Sequence, residues 1–123
     1  MKKIFIFIFV IFNFNSFAFS KTTSFTNEIF QKAQSNGKTV VINSWNKTCS
    51  TCAKQVKILE QAKKDFGNVL FLSFEQTKDK DIAKFLDIDY WTTIVVYKNN
   101  REISRSMGQT NKEKIYSQIK SLK

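Results

Sequence analysis

Two cysteines, Cys49 and Cys52, are the residues of this 123-residue chain whose type and spacing could do redox chemistry. Residues three apart share one face of a helix, so the two sulfurs can close a small disulfide. Cys49 stands where a helical pattern begins, and unpaired backbone N–H groups and the helix dipole stabilise a thiolate there. Lys47 and Lys54 can add to that stabilisation. We therefore predict that Cys49 is the nucleophile in disulfide exchange and that Cys52 is the resolving thiol.

Three other interpretations of the cysteine pair compete with redox chemistry. Half of a zinc site would need a second chain, because a structural zinc takes about four ligands. A purely structural disulfide would remove little entropy from the unfolded chain, because the loop that it closes is small. Chance occurrence is the third. The chain contains no histidine, which excludes a Ser-His-Asp triad, a Cys-His pair and a histidine-ligated metal, so we predict no metal site within one chain.

The first twenty residues have the composition of a secretory signal peptide. Lys2 and Lys3 are followed by an unbroken apolar run over 4–12, and small residues stand before Lys21. We expect cleavage after Ser20, or alternatively after Ala18, and a single domain over 21–123. An uncleaved N-terminal membrane anchor is less favoured, because polar residues interrupt the run and a spanning helix needs about 20 apolar residues.

The lysine-rich, phenylalanine-rich composition indicates a bacterium with an AT-rich genome. Export of a bacterial chain predicts the periplasm, where a disulfide can persist. Without the signal peptide, eighteen basic residues oppose ten acidic ones, a net charge of +8. The lysines are spread along the chain without an arginine-rich cluster, which indicates a solvated surface and no nucleic-acid partner. Attraction to anionic lipid headgroups or to an acidic partner is the alternative.

The hydrophobic pattern predicts the elements that must hold the cysteines. Asn99 and Asn100 suit a tight hairpin turn, because Asn tolerates positive φ. On the central helix, an apolar stripe should face the sheet, formed by Cys52, Val56, Leu59 and Phe66. The expected order is a helix over 24–36, a strand over 39–42, a helix from the cysteines to 64, a strand over 69–74, a helix over 79–86, strands over 93–97 and 101–106, and a last helix after a capping box at 110–113. This order predicts an α/β domain with a central four-stranded mixed sheet and helices on both faces.

Further motifs accompany the cysteines over about residues 24 to 122. They are the run Val40-Val41-Ile42-Asn43-Ser44-Trp45, the segment Tyr90-Trp91-Thr92-Thr93 before a strand, the turn at Lys98-Asn99-Asn100, and Gly108 before the last helix. With these motifs the chain resembles the thioredoxin-like fold family. The resemblance implies that Trp45, four residues before Cys49, packs beside the active site.

The chain departs from the family's pattern within the site itself. The family's usual W-C-G-P-C reads T-C-S-T-C over 48–52. Asn43 stands where many thioredoxins have a buried acid that helps to deprotonate the resolving cysteine. Thr92, followed by Thr93, stands where the family has a cis-proline. Because a non-proline cis bond costs about 3–4 kcal/mol, we predict a trans Trp91–Thr92 peptide, with the Thr92 side chain near the sulfurs.

The resemblance implies a thiol–disulfide oxidoreductase without a bound organic cofactor, since the electrons reside in the two sulfurs. The expected protein is a monomer that exchanges disulfides with exported proteins, is reset by a membrane redox partner, and slightly favours reduction over oxidation. Asn43 and Thr92 support an alternative, a redox-poor binding or chaperone-like module. A metal or iron–sulfur carrier with two thiolates from each of two chains is less favoured.

Overall fold

The computed structural model of the chain describes residues 22–121, so the expected signal peptide and its cleavage sites lie outside the described residues. Within them, the segments with alternating or continuous apolar patterns form strands and those with a period near 3.6 form helices. The chain runs β1 (Thr23–Ser24), α1 (Asn27–Ser35), β2 (Val40–Trp45), α2 (Ser50–Asp65), β3 (Leu70–Glu75), α3 (Lys80–Phe85), β4 (Thr93–Lys98), β5 (Arg101–Met107) and α4 (Lys112–Lys120).

The strands form one mixed sheet in the order β1-β3-β2-β4-β5. The β1, β3 and β2 strands are parallel, and β4 and β5 are antiparallel to their neighbours. The predicted α/β class is confirmed, but the sheet has five strands where four were predicted. The extra strand is β1, whose Thr23 and Ser24 pair with Leu72 and Ser73 of β3.

Helices cover both faces of the sheet, as predicted. On one face, α1 and α3 contribute Phe30 and Ala83 to a core that also contains Ile42 of β2. On the other face, α2 and α4 contribute Leu59 and Ile115. Val41 of β2 belongs to this second core, so neighbouring residues of β2 face different cores. Each fully buried aliphatic side chain stabilises the fold by about 1.5–3 kcal/mol. Two cores fix β2 from both sides immediately before the cysteines.

Two predicted helix starts were wrong, the first by two residues and the last by one. The first helix does not begin at Ser24, because that residue pairs in β1; its N-cap is Thr26, whose hydroxyl accepts from the Ile29 N–H at 3.2 Å. The last helix is capped by Asn111 and not by Thr110, since the Asn111 side chain accepts from the Lys114 N–H at 2.9 Å. Each observed N-cap lies later in the chain than the predicted one, at the position where its side-chain oxygen accepts from a free N–H of the first turn.

The hairpin between β4 and β5 is the predicted two-residue turn. Asn99 and Asn100 have φ values of 51° and 61°, and Lys98 pairs with Arg101 across the turn. Positive φ at both central residues is the geometry of a type I′ turn. No helix within residues 22–121 is both long and apolar enough to cross a membrane.

Candidate active site

The structure joins Cys49 and Cys52 in a disulfide at the start of α2, with a Cα–Cα distance of 5.2 Å. Cys49 is the N-cap residue of this helix, and its sulfur accepts a hydrogen bond from the Cys52 N–H at 3.1 Å. Cys52 is only 2% exposed, whereas Cys49 is partly exposed. The sulfur that solvent can reach is thus the one that receives a backbone donor, and such a donor stabilises a thiolate.

The loop before the cysteines is shaped by Asn46, which the sequence reasoning missed. Its side-chain oxygen accepts from both the N–H and the hydroxyl of Thr48 at 3.0 Å. Its amide donates to the Thr77 hydroxyl at 3.3 Å, and its carbonyl accepts from the Cys49 N–H at 3.3 Å. An Asn that bonds two residues ahead is a recognised turn signal, so Asn46-Lys47-Thr48 could have indicated this turn.

A shallow groove of about 370 Å³ lies beside the disulfide. Both cysteines, Trp45 and Lys47 line it, together with Val56 of α2. The structure thus brings two of the predicted supporting residues, Trp45 and Lys47, next to the sulfurs. Trp45 is half-buried and Lys47 is exposed, so an aromatic ring and a cation both line the groove.

Asn43 is buried under the site and has only amide partners there. It is 2% exposed, and its amide donates to the side-chain oxygen of Gln55 and to the Ser44 carbonyl, both at 3.4 Å. No Asp or Glu is buried among residues 22–121. A side-chain amide cannot take up a proton as a carboxylate does, so Asn43 supplies no internal base for Cys52.

Thr92 lies in a trans segment, which confirms the predicted Trp91–Thr92 bond, and it has a φ of 68°. This left-handed conformation is uncommon for a β-branched residue. The Thr92 N–H donates to the Ser44 carbonyl at 2.9 Å. The Thr92 carbonyl accepts from the Gln55 amide at 2.9 Å and from the Gly108 N–H at 3.0 Å. The predicted position of the Thr92 side chain near the sulfurs stays a prediction.

Thr93 and Ser44 hold the same segment by further hydrogen bonds, and Ser44 does so from β2. Thr93 is 1% exposed, and its hydroxyl donates to the Tyr90 carbonyl at 2.7 Å. The fully buried Ser44 hydroxyl donates to that carbonyl at 2.7 Å and accepts from the Thr93 N–H at 3.3 Å. Thr93, a predicted supporting residue, thus acts on the backbone of the segment. Sequence reasoning missed Ser44 because its partners lie more than forty positions away.

Large apolar side chains are exposed on this segment, residues 90–93, and on the strand beside it. Tyr90 is 65% exposed and Trp91 46%, and Met107, which pairs with Thr93 across β4 and β5, is 63% exposed. We call these three residues the apolar surface. Exposed apolar side chains that cluster often mark a binding site, and here they adjoin the segment that Ser44 ties to the strand leading to the cysteines.

The two cysteines have no further ligand candidates grouped with them. Among residues 22–121, no group of three or more His, Cys, Asp or Glu side chains is placed to hold a metal ion. The arrangement that the site does offer is an accessible sulfur with a backbone donor, a buried second sulfur bonded to it, and exposed apolar side chains on the segment that hydrogen-bonds to Ser44 and Gln55. These parts suit disulfide exchange with another polypeptide.

Comparison with known proteins gives a consistent result. The profile of the family described as Thioredoxin matches residues 18–121. A thioredoxin H-type from Fagopyrum esculentum is 28% identical over 90 residues, which cover 73% of this chain and 78% of that protein. The oxidised mitochondrial thioredoxin 3 of Saccharomyces cerevisiae superposes with a TM-score of 0.73 at 22% identity, covering 85% of this chain and 98% of that chain. The protein Trxlp of Edwardsiella tarda gives a TM-score of 0.74 at 18% identity, covering 78% and 95% of the two chains.

Proposed function

This chain belongs to the thioredoxin family and is a thiol–disulfide oxidoreductase, and from that premise we propose that it exchanges disulfides with exported proteins through Cys49 and Cys52. The observation that carries the proposal is the hydrogen bond from the Cys52 N–H to the sulfur of the accessible Cys49. In the reduced protein, the same N–H and the start of α2 stabilise a Cys49 thiolate.

The exchange proceeds in two balanced steps. The Cys49 thiolate attacks one sulfur of a substrate disulfide, which forms a mixed disulfide and releases the other substrate sulfur as a thiolate. The Cys52 thiol then loses its proton and attacks the Cys49 sulfur, which closes the Cys49–Cys52 disulfide and releases the second substrate thiolate. Two electrons pass from the protein to the substrate, and both released thiolates take up protons from water.

Reduction of substrates is the direction that we propose, with a membrane dithiol partner that returns two electrons to the protein. Asn43 provides no carboxylate to accept the Cys52 proton, so that proton leaves to solvent and the second step should be slow near neutral pH. Thr51 also disfavours an efficient reductant, because its backbone N–H, which a proline would lack, can stabilise the Cys49 thiolate and make the disulfide more oxidising.

The periplasm is the location that we propose for this exchange. The support is the order of the first twenty residues: a basic start, an apolar run and small residues before Lys21. An oxidising compartment supplies exported proteins whose disulfides need exchange. The experiment is fractionation of the expressing cells with sequencing of the mature N-terminus. A cytoplasmic chain that keeps Met1 would contradict the proposed location but not the proposed disulfide exchange.

The redox potential of the cysteine pair tests the activity. The protein is equilibrated in glutathione buffers, and the oxidised fraction is measured from the mass added by alkylation. Proteins with such cysteine pairs range from about −270 to −120 mV. We expect a value in the reducing half of that range. A value near the oxidising limit would reverse the direction, and a value below about −300 mV would make the bridge structural.

Trapping assigns the roles of the two cysteines. Cys52→Ser should accumulate mixed disulfides with substrate proteins, because the second step is blocked, and Cys49→Ser should accumulate none. In the reduced wild type, a small alkylating reagent should label Cys49 first, since Cys52 is 2% exposed. Equal labelling, or trapping through Cys52, would contradict the assignment.

A binding or chaperone-like module is the second candidate function, and the apolar surface favours it. Such a module would keep its effect without its sulfurs. The double variant Cys49→Ser/Cys52→Ser should then suppress aggregation of an unfolding client as well as the wild type does. If this variant no longer suppresses aggregation, the chaperone-like function is contradicted and disulfide exchange is the remaining candidate.

A further inference from the structure

We propose that Gln55 is a positioning residue of this active site: its buried amide fixes segment 90–93 and so orients the apolar surface toward a protein substrate. The inference rests on the proposed function, because it assigns the recognition of protein disulfides, as opposed to small ones, to this segment. Gln55 lies on α2, three residues after Cys52, and its side chain is fully buried.

Segment 90–93 needs to be held because its backbone is not intrinsically favoured. Thr92 has a φ of 68°, and a β-branched residue rarely adopts that conformation. The chain contains no proline, so no ring restricts the segment covalently. Its conformation therefore depends on hydrogen bonds from other elements.

Gln55 is the residue that connects this segment to the cysteine helix. Its amide nitrogen donates both protons, one to the Thr92 carbonyl at 2.9 Å and one to the Gln109 carbonyl at 3.0 Å. Its oxygen accepts from the Asn43 amide at 3.4 Å. A buried amide is costly unless its polar atoms are paired, and every polar atom of Gln55 has a partner. One side chain thus joins α2, β2, the segment and the loop after β5.

Ser44 holds the segment from the β2 side. Its carbonyl accepts from the Thr92 N–H at 2.9 Å, and its hydroxyl bonds to the Tyr90 carbonyl and the Thr93 N–H. Gln55 and Ser44 together fix the segment on both sides of Thr92. Tyr90 and Trp91 project from the fixed segment and are largely exposed.

Loss of the Gln55 amide should therefore affect large and small substrates differently. The Cys49 sulfur keeps its donor, because the Cys52 N–H is part of the helix itself. A small disulfide needs only that sulfur. A protein disulfide also contacts the apolar surface, whose orientation would no longer be fixed.

The experiment compares Gln55→Met with Gln34→Met in the full chain. Gln34 is a matched control at the opposite end of β4: it is 2% exposed, donates to the Lys38 carbonyl at 3.3 Å and accepts from the Asn100 N–H at 2.8 Å. We expect Gln55→Met to raise KM for insulin about tenfold and to change kcat/KM for dithiobis(nitrobenzoate) by less than about twofold. Gln34→Met should lower thermal stability without changing either value.

Amide hydrogen exchange tests the positioning independently of activity. Gln55→Met should lower protection of the Thr92 and Gly108 N–H groups, and Gln34→Met should lower protection of the Asn100 N–H. If Gln55→Met does not fold, Ser44→Ala, which removes one hydroxyl, should give the same selective rise in KM.

Three outcomes would overturn the inference: equal KM changes in the two glutamine variants, an equal loss on both substrates in Gln55→Met, or unchanged protection at Thr92. A wild-type protein that reduces neither disulfide contradicts the proposed function and the recognition role with it. Hydrogen exchange then still decides whether Gln55 holds the segment.

Discussion

The two ends of strand β4 use the same backbone geometry in different ways. At the end remote from the cysteines, Asn99 and Asn100 turn the chain with φ values of 51° and 61°. At the active-site end, Thr92 has a φ of 68°. A buried glutamine hydrogen-bonds to the backbone at each end: Gln34 accepts from the Asn100 N–H, and Gln55 donates to the Thr92 carbonyl.

The difference lies in how well each residue type suits its conformation. Asparagine tolerates positive φ, so the remote turn is favoured by its own sequence. Threonine disfavours it, so the active-site end is strained and is held by tertiary hydrogen bonds. Backbone strain concentrates at functional sites, where surrounding structure over-determines the conformation. The end of β4 that serves the chemistry is thus the one that its local sequence does not favour.

The largest expected effect comes from a charge placed beneath the active-site end. In Asn43→Asp, a carboxylate would face the Gln55 side-chain oxygen and the Ser44 carbonyl, both acceptors. We expect the free energy of unfolding to fall by about 3 kcal/mol near neutral pH. Burial raises the pKa of the introduced carboxyl, so the loss should grow as pH rises above about 4, the ordinary carboxyl value. Urea unfolding at several pH values measures it.

The same variant should also speed disulfide reduction near neutral pH, because the introduced carboxylate can accept the Cys52 proton. Asn99→Asp is the control at the exposed remote turn, where the change in unfolding free energy should stay within about 0.5 kcal/mol. An unchanged rate in Asn43→Asp would show that solvent or another group, such as Glu75, handles the proton. Equal losses of stability in the two variants would remove the contrast between the ends.

An intermediate effect is expected when glycine replaces the strained residue. A left-handed backbone costs an L-residue about 1–2 kcal/mol, and glycine gives back about 0.4–1 kcal/mol through the unfolded chain. Thr92→Gly should therefore stabilise the protein by about 0.5–1 kcal/mol. Asn100→Gly should gain less, because asparagine already tolerates its conformation. Thermal unfolding of both variants checks the order; a destabilised Thr92→Gly would show that Thr92 is not strained.

The smallest effect is expected at the end of α2 far from the cysteines. There the Tyr116 hydroxyl donates to the Asp65 carboxylate at 2.6 Å. Desolvation and then this bond raise the pKa of Tyr116 to about 12, and the bond lowers the pKa of Asp65 below its usual 3.8. Since Asp65 is exposed and Tyr116 is only half-buried, water competes for this hydrogen bond, and Tyr116→Phe should destabilise the protein less than Asn43→Asp does.

The pH dependence of that small effect has a defined sign. A raised tyrosine pKa gives stability that is complete below the ordinary value of 10 and is lost as pH rises toward about 12. A lowered carboxyl pKa gives stability that is present above 3.8 and is lost as pH falls through the folded value. The difference in Tm between wild type and Tyr116→Phe should therefore disappear at both extremes. The reduction potential of the cysteine pair should be the same in Tyr116→Phe as in the wild type. A changed potential would show that the remote end of α2 is energetically coupled to the sulfurs.

The sequence determined the features that depend on neighbouring residues. The order of the main helices and strands follows from apolar period, and the turn at Asn99 and Asn100 from the backbone tolerance of asparagine. The position of Cys49 at a helix start followed from the pattern on either side of it. The helix caps were less well predicted, because the short strand containing Ser24 pairs with a segment 49 positions away and displaces the helix start.

Only the tertiary structure decided how the active-site end of β4 is built. Gln55 was not part of the predicted apolar stripe, yet it is fully buried, because its hydrogen-bond partners at Thr92 and Gln109 lie 37 and 54 positions along the chain. The left-handed backbone of Thr92, whose N–H and carbonyl bond to Ser44 and Gln55, and the exposure of Trp91 were not predicted from the sequence either. Local propensity opposes this geometry, and hydrogen bonds between elements outweigh that opposition only after the sheet and α2 have come together.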